Sequence, residues 1–370
     1  MPILRSVATA LPPYQIPQRV ARSFAGQHFA PDFPAIERYL TVFEHAQIET
    51  RSFAAPPEWF QTTHSFGECN DLFMTWATRL TEESARRCLA AAGLRPSDVN
   101  HLFFVSTTGL AAPSIDAYLI NRLSMDRHTR RTPIWGLGCA GGVAGLARAY
   151  EYTLAYPHHR ALLLSIELCS ITFQWNDLSK RNLIAVSLFS DGAAAALVEG
   201  DAVASSDGSG EMDKAMQLPA PSPNIEPVRI LGSQSTLWPD TIDIMGWDIV
   251  DTGMQVVFSS RIPHIVRDLM RENVVAFLEP YGLALDDIGK FILHPGGAKV
   301  IQAYEQALQI DPERLQPVRE ILRRCGNMSS ATIFFVYEEF VRQMPLKPGE
   351  YGLLAVLGPG FSCDLVLIQG

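Results

Sequence analysis

The chain repeats itself, and that repeat limits what it can fold into. Placing G-L-R-P-S-D-V-N-H-L-F-F-V (Gly93 to Val105) over G-L-A-L-D-D-I-G-K-F-I-L-H (Gly282 to His294) matches Gly, Leu and Asp and sets Val99 over Ile288, at an offset of 189 residues. Each copy ends in an apolar strand and follows a segment with helical apolar spacing, L-T-E-E-S-A-R-R-C-L-A-A-A before the first and H-I-V-R-D-L-M-R-E-N-V-V-A-F-L before the second. Later, S-D-G-A-A-A-A-L-V-E-G and G-P-G-F-S-C-D-L-V-L-I-Q-G each read as a glycine turn and a closing strand. Two halves of alternating strands and helices predict a mixed α/β fold with helix-covered sheets. The stretch from Asp201 to Pro227 is rich in Ser, Gly, Pro and Asp and lacks either periodicity, so it reads as the linker. We expect an N-terminal half over 1–215 and a C-terminal half over 225–370.

Composition narrows the function. With 370 residues, 47% apolar and 19% charged, the chain can bury a large core. A net charge of -9 argues against nucleic acid or an anionic membrane as the main partner. No apolar run reaches the roughly 18 residues of a spanning helix, because Glu167 interrupts the most apolar stretch. Pro12 and Pro13 arrive before any signal-peptide core, so the expected location is the cytoplasm. Six scattered cysteines lack C-x-x-C spacing, and His158-His159 lacks a helical partner, so neither a disulfide framework nor a metal site is expected.

Three residues carry chemistry. Cys139 lies in I-W-G-L-G-C-A-G-G-V-A-G-L-A, on a glycine-flanked turn between a short apolar strand and a small-residue helix. A thiol there meets unpaired N–H groups and the positive end of the helix dipole, which favour thiolate, while the glycines permit close approach of backbone and substrate. A buried structural cysteine is the alternative. His294 ends the strand K-F-I-L-H before P-G-G, at the kind of strand end where α/β sites collect. Asn327, in G-N-M-S-S, opens a helix and could simply cap it. Carrying the repeat offset forward from Cys139 lands on 328, one residue from Asn327, so the two occupy equivalent corners. A thiolate with an imidazole accepts an acyl group, and a neutral His N–H with an uncharged amide steadies an enolate or oxyanion.

These motifs resemble the type III polyketide synthases, the chalcone synthase-like branch of the thiolase superfamily, over nearly the whole chain. T-T-G near 107, G-C-A-G-G around Cys139, S-L-F-S-D-G-A-A-A from Ser187, H-P-G-G at 294, G-N-M-S-S at 326 and G-P-G-F near the end carry the resemblance in order and spacing. It implies a five-layered αβαβα fold of two duplicated halves, a homodimer, and iterative decarboxylative condensation of malonyl-CoA onto an acyl-CoA starter. No cofactor is implied beyond the CoA thioester substrates. Cys139 would carry the starter and the growing chain, and His294 and Asn327 would stabilise the enolate, with His294 also helping to hold Cys139 as thiolate.

The resemblance further makes Phe189 a gatekeeper between CoA tunnel and cavity, with a core aromatic as the alternative. Cys169, Thr172, Trp247 and Ser329 would line the pocket, and Ala112 would cross the dimer interface into the partner's cavity. Arg38, His45 and Lys299 would meet CoA phosphates, with Gly296 and Gly297 against the pantetheine arm. A second gatekeeper phenylalanine aligns with Val256, or with Phe258 if a gap is allowed, and Leu357 replaces a family phenylalanine. M-G-W-D-I-V-D-T-G-M-Q-V-V-F-S is closer to bacterial alkylresorcinol and alkylpyrone synthases, so a fatty acyl starter is expected. A narrow apolar gate suits an alkyl chain. A ketoacyl-synthase III type enzyme fed by a carrier protein, a cysteine thioester hydrolase and a silent binding protein stand as alternatives.

Overall fold

The central strands of the first half are mostly apolar and buried on both faces, the pattern of sheets covered by helices on each side. The computed structural model describes residues 1–203 and 226–370. The first half runs β1 (Ile3–Ala10), β2 (Tyr14–Pro17), α1 (Gln18–His28), α2 (Ile36–His45), β3 (Thr50–Phe53), α3 (Phe66–Ala91), β4 (His101–Val105), α4 (Ile115–Arg122), β5 (Arg130–Ile134), α5 (Gly141–Ala155), β6 (Arg160–Leu168), α6 (Lys180–Leu188) and β7 (Asp191–Glu199). The second runs β8 (Val228–Leu237), β9 (Met245–Val250), β10 (Gly253–Phe258), α7 (Ile262–Leu278), β11 (Ile288–Leu293), α8 (Ala298–Leu308), α9 (Gln316–Cys325), α10 (Thr332–Gln343), β12 (Tyr351–Gly358) and β13 (Ser362–Gln369). The expected linker falls almost entirely outside the described residues.

Strand pairing repeats. In the first half β1, β7, β6 and β4 pair antiparallel, antiparallel, then parallel, and in the second β8, β13, β12 and β11 follow the same sequence. β5 extends only the first half, parallel to β4. The halves are not separate sheets: Ile3 and Leu4 pair with Arg229 and Val228, joining them into nine strands ordered β11-β12-β13-β8-β1-β7-β6-β4-β5. Five layers result. α3 covers the outer face of β1, β6 and β7. α5 sits centrally, against β4, β6 and β7 on one side and β8, β12 and β13 on the other, with α10 beside it. α7 covers the second half, where Asn273 Oδ1 accepts from Thr236 Oγ1 of β8 at 2.8 Å.

The repeated sequence is repeated geometry. Gly93 and Gly282 both adopt φ +68°, a left-handed turn that glycine takes without a Cβ penalty. Five residues after each, an aspartate closes the next turn: Arg95 N donates to Asp98 Oδ2 at 2.9 Å, and Ala284 N to Asp287 Oδ2 at 2.8 Å.

α5 and α10 begin side by side at the centre. A Cβ on Gly142 would collide with the Ser330 carbonyl oxygen and lie 2.9 Å from Ile333 Cγ2, so this glycine serves helix contact, not substrate approach. The strand expected from Ile134 onward ends at that residue: Trp135 and Leu137 are exposed in the following loop. We predict that Gly142→Ala lowers stability by about 1–3 kcal/mol through overpacking. A denaturant titration checks this, and an unchanged midpoint would contradict so close a contact.

Candidate active site

Cys139 lies in one tight turn, Gly138–Ala140, at the start of α5 and is buried, 9% exposed. Its Sγ accepts a hydrogen bond from Ser329 Oγ at 3.4 Å. Ser329 opens the equivalent turn before α10, so the nucleophile candidate of one half touches the matching corner of the other. His294 follows β11 directly, where its backbone N–H donates to Ala355 O at 3.0 Å. Neither ring nitrogen has a hydrogen-bond partner among the described residues. Asn327 is fixed at both ends of its amide: Nδ2 donates to Gly296 O at 3.1 Å, and Oδ1 accepts from Ser329 N at 2.8 Å. The second bond closes an Asx turn two residues on; the caps of the following turn and helix are Met328 and Ala331, neither with a side-chain cap bond, so Asn327 does not cap the helix. The Nδ2 group has two protons, so one stays available.

Burial sets the charge states. It pushes the Cys139 thiol up to about 12, with nearby Glu167 adding to the rise, and pushes the His294 imidazole down to about 4. Burial thus opposes the charge that the helix terminus favours on the thiol, and it opposes charge on the imidazole as well.

These three residues and Ser329 line one cavity of about 50 Å³ together with Phe189, Trp247, Val256 and Phe258. Phe189, Trp247 and Val256 also line a second cavity of about 130 Å³, whose further walls include Cys169, Thr172, Phe53 and Phe60. The three shared side chains thus form the partition. Trp247 pairs with Val256 and Met245 with Phe258 across the β9–β10 hairpin. Val256 and Phe258, the two residues that the alignment offers as second gatekeeper, both line this cavity, as does Val257 between them. Phe189 is bridged to Asn327, with Asn327 N donating to Leu188 O at 3.0 Å and Ser190 N to Asn327 O at 2.8 Å.

A third, open cavity of about 380 Å³ meets the catalytic one at Phe258, Gly296 and Val300. His45, Lys299, Gly296 and Gly297 line it. Lys180 and Arg181 line it too, and the sequence offered no motif that marks them. Arg38 is exposed on α2 and lines none of these cavities, because the last turn of that helix faces the mouth and its first does not. Ala112 is exposed in the loop after β4 and lines none of them either.

Sequence reasoning also missed the support beneath the site. Glu167 is fully buried and accepts from Thr107 N at 3.0 Å, Thr108 Oγ1 at 2.9 Å and Ser330 Oγ at 2.6 Å. Burial lifts its carboxyl to about 7. The only signal was an acid inside an apolar strand.

Duplicated halves that converge a cysteine, a histidine and an asparagine on one dry cavity define a thiolase-type condensing enzyme. Comparison with known proteins narrows this. Residues 52–202 match the N-terminal domain of chalcone and stilbene synthases, and residues 229–370 match the C-terminal domain. A putative chalcone synthase of Bacillus subtilis (strain 168) is 41% identical, covering 100% of this chain and 99% of its own. A 1,3,6,8-tetrahydroxynaphthalene synthase of Streptomyces peucetius subsp. caesius is 36% identical, over 98% of this chain and 92% of its own. The crystal structure of the Streptomyces coelicolor A3(2) 1,3,6,8-tetrahydroxynaphthalene synthase, a bacterial type III polyketide synthase, superposes with a TM-score of 0.88 at 28% identity, covering 100% of both chains. The chain belongs to the chalcone and stilbene synthase family and is a type III polyketide synthase. Among the described residues no helix is long and apolar enough to cross a membrane.

The His294 shift has a measurable consequence. Unfolded histidine binds a proton near pH 6.5 and folded His294 only near 4. Between those values the unfolded state holds more protons, so His294 costs stability as pH falls. His294→Gln should therefore lose about 2 kcal/mol less than wild type between pH 7.5 and pH 5. Denaturant titrations at both pH values test this, and equal losses would contradict a neutral buried imidazole.

Proposed function

We propose that Cys139 is the acyl carrier and that His294 and Asn327 stabilise the enolate formed when malonyl-CoA loses CO2. The halves 1–215 and 225–370 then divide the work, the first supplying the nucleophile and the second the histidine and asparagine. In loading, the Cys139 sulfur attacks the starter thioester carbon while the neutral His294 ring takes the thiol proton, which then passes to the departing CoA thiolate. Because burial disfavours each charge, proton transfer accompanies bond formation rather than preceding it. The spare N–H of Asn327 and a protonated ring nitrogen of His294 suit a thioester oxygen that gains charge on decarboxylation. CoA phosphates would meet His45, Lys180, Arg181 and Lys299 at the open mouth, with Gly296 and Gly297 beside the pantetheine arm.

The starter we infer is a fatty acyl-CoA, and the products alkylpyrones or alkylresorcinols. The observation that carries this is the second cavity behind Phe189, Trp247 and Val256, whose walls include Ile16, Val20, Ala21, Phe24, Phe53 and Phe173. An alkyl tail displaces water from such walls at about 0.8 kcal/mol per buried methylene. Cys169 and Thr172 sit on the same wall. A second reading takes malonyl-CoA as its own starter, and it draws on the relative named 1,3,6,8-tetrahydroxynaphthalene synthase.

A homodimer is consistent with the exposed apolar residues near Ala112, namely Leu110, Tyr118, Trp135 and Leu137. A cytoplasmic location accords with six cysteines that are all free.

Incubation with malonyl-CoA and starters from acetyl to long-chain and aromatic acyl-CoA, read by mass spectrometry, tests the substrate. Alkylpyrones or alkylresorcinols from fatty starters are expected. Tetrahydroxynaphthalene from malonyl-CoA alone would favour the second reading, and hydrolysis without extension would contradict both. Asn327→Ala should slow malonyl-CoA decarboxylation about a hundredfold while Cys139 still loads starter. Equal damage to both half-reactions would count against its role. Val256→Trp should fill the partition and shift preference toward short starters in the same assay.

A further inference from the structure

One side chain of the catalytic cavity has no place in that mechanism. Tyr304 lies one turn beyond Val300 on α8, and both line the cavity that contains Cys139, His294 and Asn327. It is fully buried, and its hydroxyl has no hydrogen-bond partner among the described residues. Phenylalanine would fill the same space without leaving a buried polar atom unpaired, so the hydroxyl is a local liability in the folded chain. Among the described residues, the other buried side-chain polar atoms of this cavity without a partner are the His294 ring nitrogens. Sequence pattern alone gives Tyr304 a place on the apolar face of its helix and no function.

We propose that Tyr304 is a catalytic residue whose hydroxyl donates a hydrogen bond to the carbonyl oxygen of the acyl group on Cys139 as that oxygen becomes an oxyanion. This rests on Cys139 as the acyl carrier. In condensation the enolate carbon left after CO2 departs attacks the thioester carbon, a C–C bond forms, and the carbonyl π pair moves onto oxygen. The oxyanion then collapses, the C–S bond breaks, and Cys139 leaves as a thiolate that takes one proton from solvent. Tyr304 keeps its own proton throughout. Burial holds the phenol well above its ordinary pKa, so it remains a neutral donor at any working pH. An uncharged donor aimed at developing charge in a dry cavity acts without reorganisation.

Tyr304→Phe deletes the hydroxyl and nothing else. Starter loading at Cys139, followed by intact mass, and condensation turnover should each fall about tenfold or more, while decarboxylation of malonyl-CoA without starter stays at the wild-type rate. The denaturation midpoint should be unchanged or raised, which a merely structural hydroxyl would not produce. Tyr304→Leu, run in parallel, should show the same split between half-reactions. Wild-type loading and condensation in Tyr304→Phe would overturn the proposal, as would an equal fall in decarboxylation. Absence of any acyl adduct on wild-type Cys139 would instead overturn the carrier assignment beneath it.

Discussion

The structure depends on two helix starts that touch at the centre of the molecule. Where Gly142 of α5 meets the Ser330 backbone at the start of α10, no side chain fits between them. Glu167 fastens that junction, accepting from Ser330 on one side and from Thr107 and Thr108 on the other. A carboxyl with no exposure is expensive unless its lone pairs are filled, and three donors fill them here. With the junction closed, Ser329 reaches the Cys139 sulfur and the Asn327 amide is held between Gly296 and Ser329. A small shift of either helix would separate the Cys139 sulfur from the Ser329 hydroxyl and the Asn327 amide.

From that junction the cavities run in series. The charged mouth at His45, Lys180, Arg181 and Lys299 meets the catalytic cavity, and the partition of Phe189, Trp247 and Val256 separates it from the apolar space behind. Phe189 is tied to the catalytic corner through its bridge to Asn327 and to the first half through Arg51, whose Nη1 donates to Phe189 O at 3.0 Å. The partition and the amide therefore share one backbone support. The same burial that disfavours charge on Cys139 and His294 strengthens hydrogen bonds to any charge that forms there.

Much of this was legible because duplication leaves marks. Gly93 and Gly282 stand at one offset because each must turn left-handed, and Asp98 and Asp287 because each closes the following turn. The corners bearing Cys139 and His294 followed from where strands end, and the one bearing Asn327 from where a helix begins. Lys180 and Arg181 were hidden because a mouth assembled from α2, α6 and α8 has no contiguous motif. Arg38 lies away from that mouth for a related reason: position in the sequence says little about which turn of a short helix faces a cavity. Glu167 was hidden in an apolar strand and Tyr304 on the apolar face of a helix, where a polar atom acquires meaning only once its neighbours in space are known. The joining of two half-sheets through Ile3 and Leu4 had no sequence signal at all.

The most direct measurement is a crystal structure of the enzyme after brief exposure to a long-chain acyl-CoA without malonyl-CoA. The account predicts a thioester on Cys139 with its alkyl tail threaded past Phe189, Trp247 and Val256 into the apolar cavity. An acyl group on another cysteine, or a tail that stays in the open mouth, would contradict it.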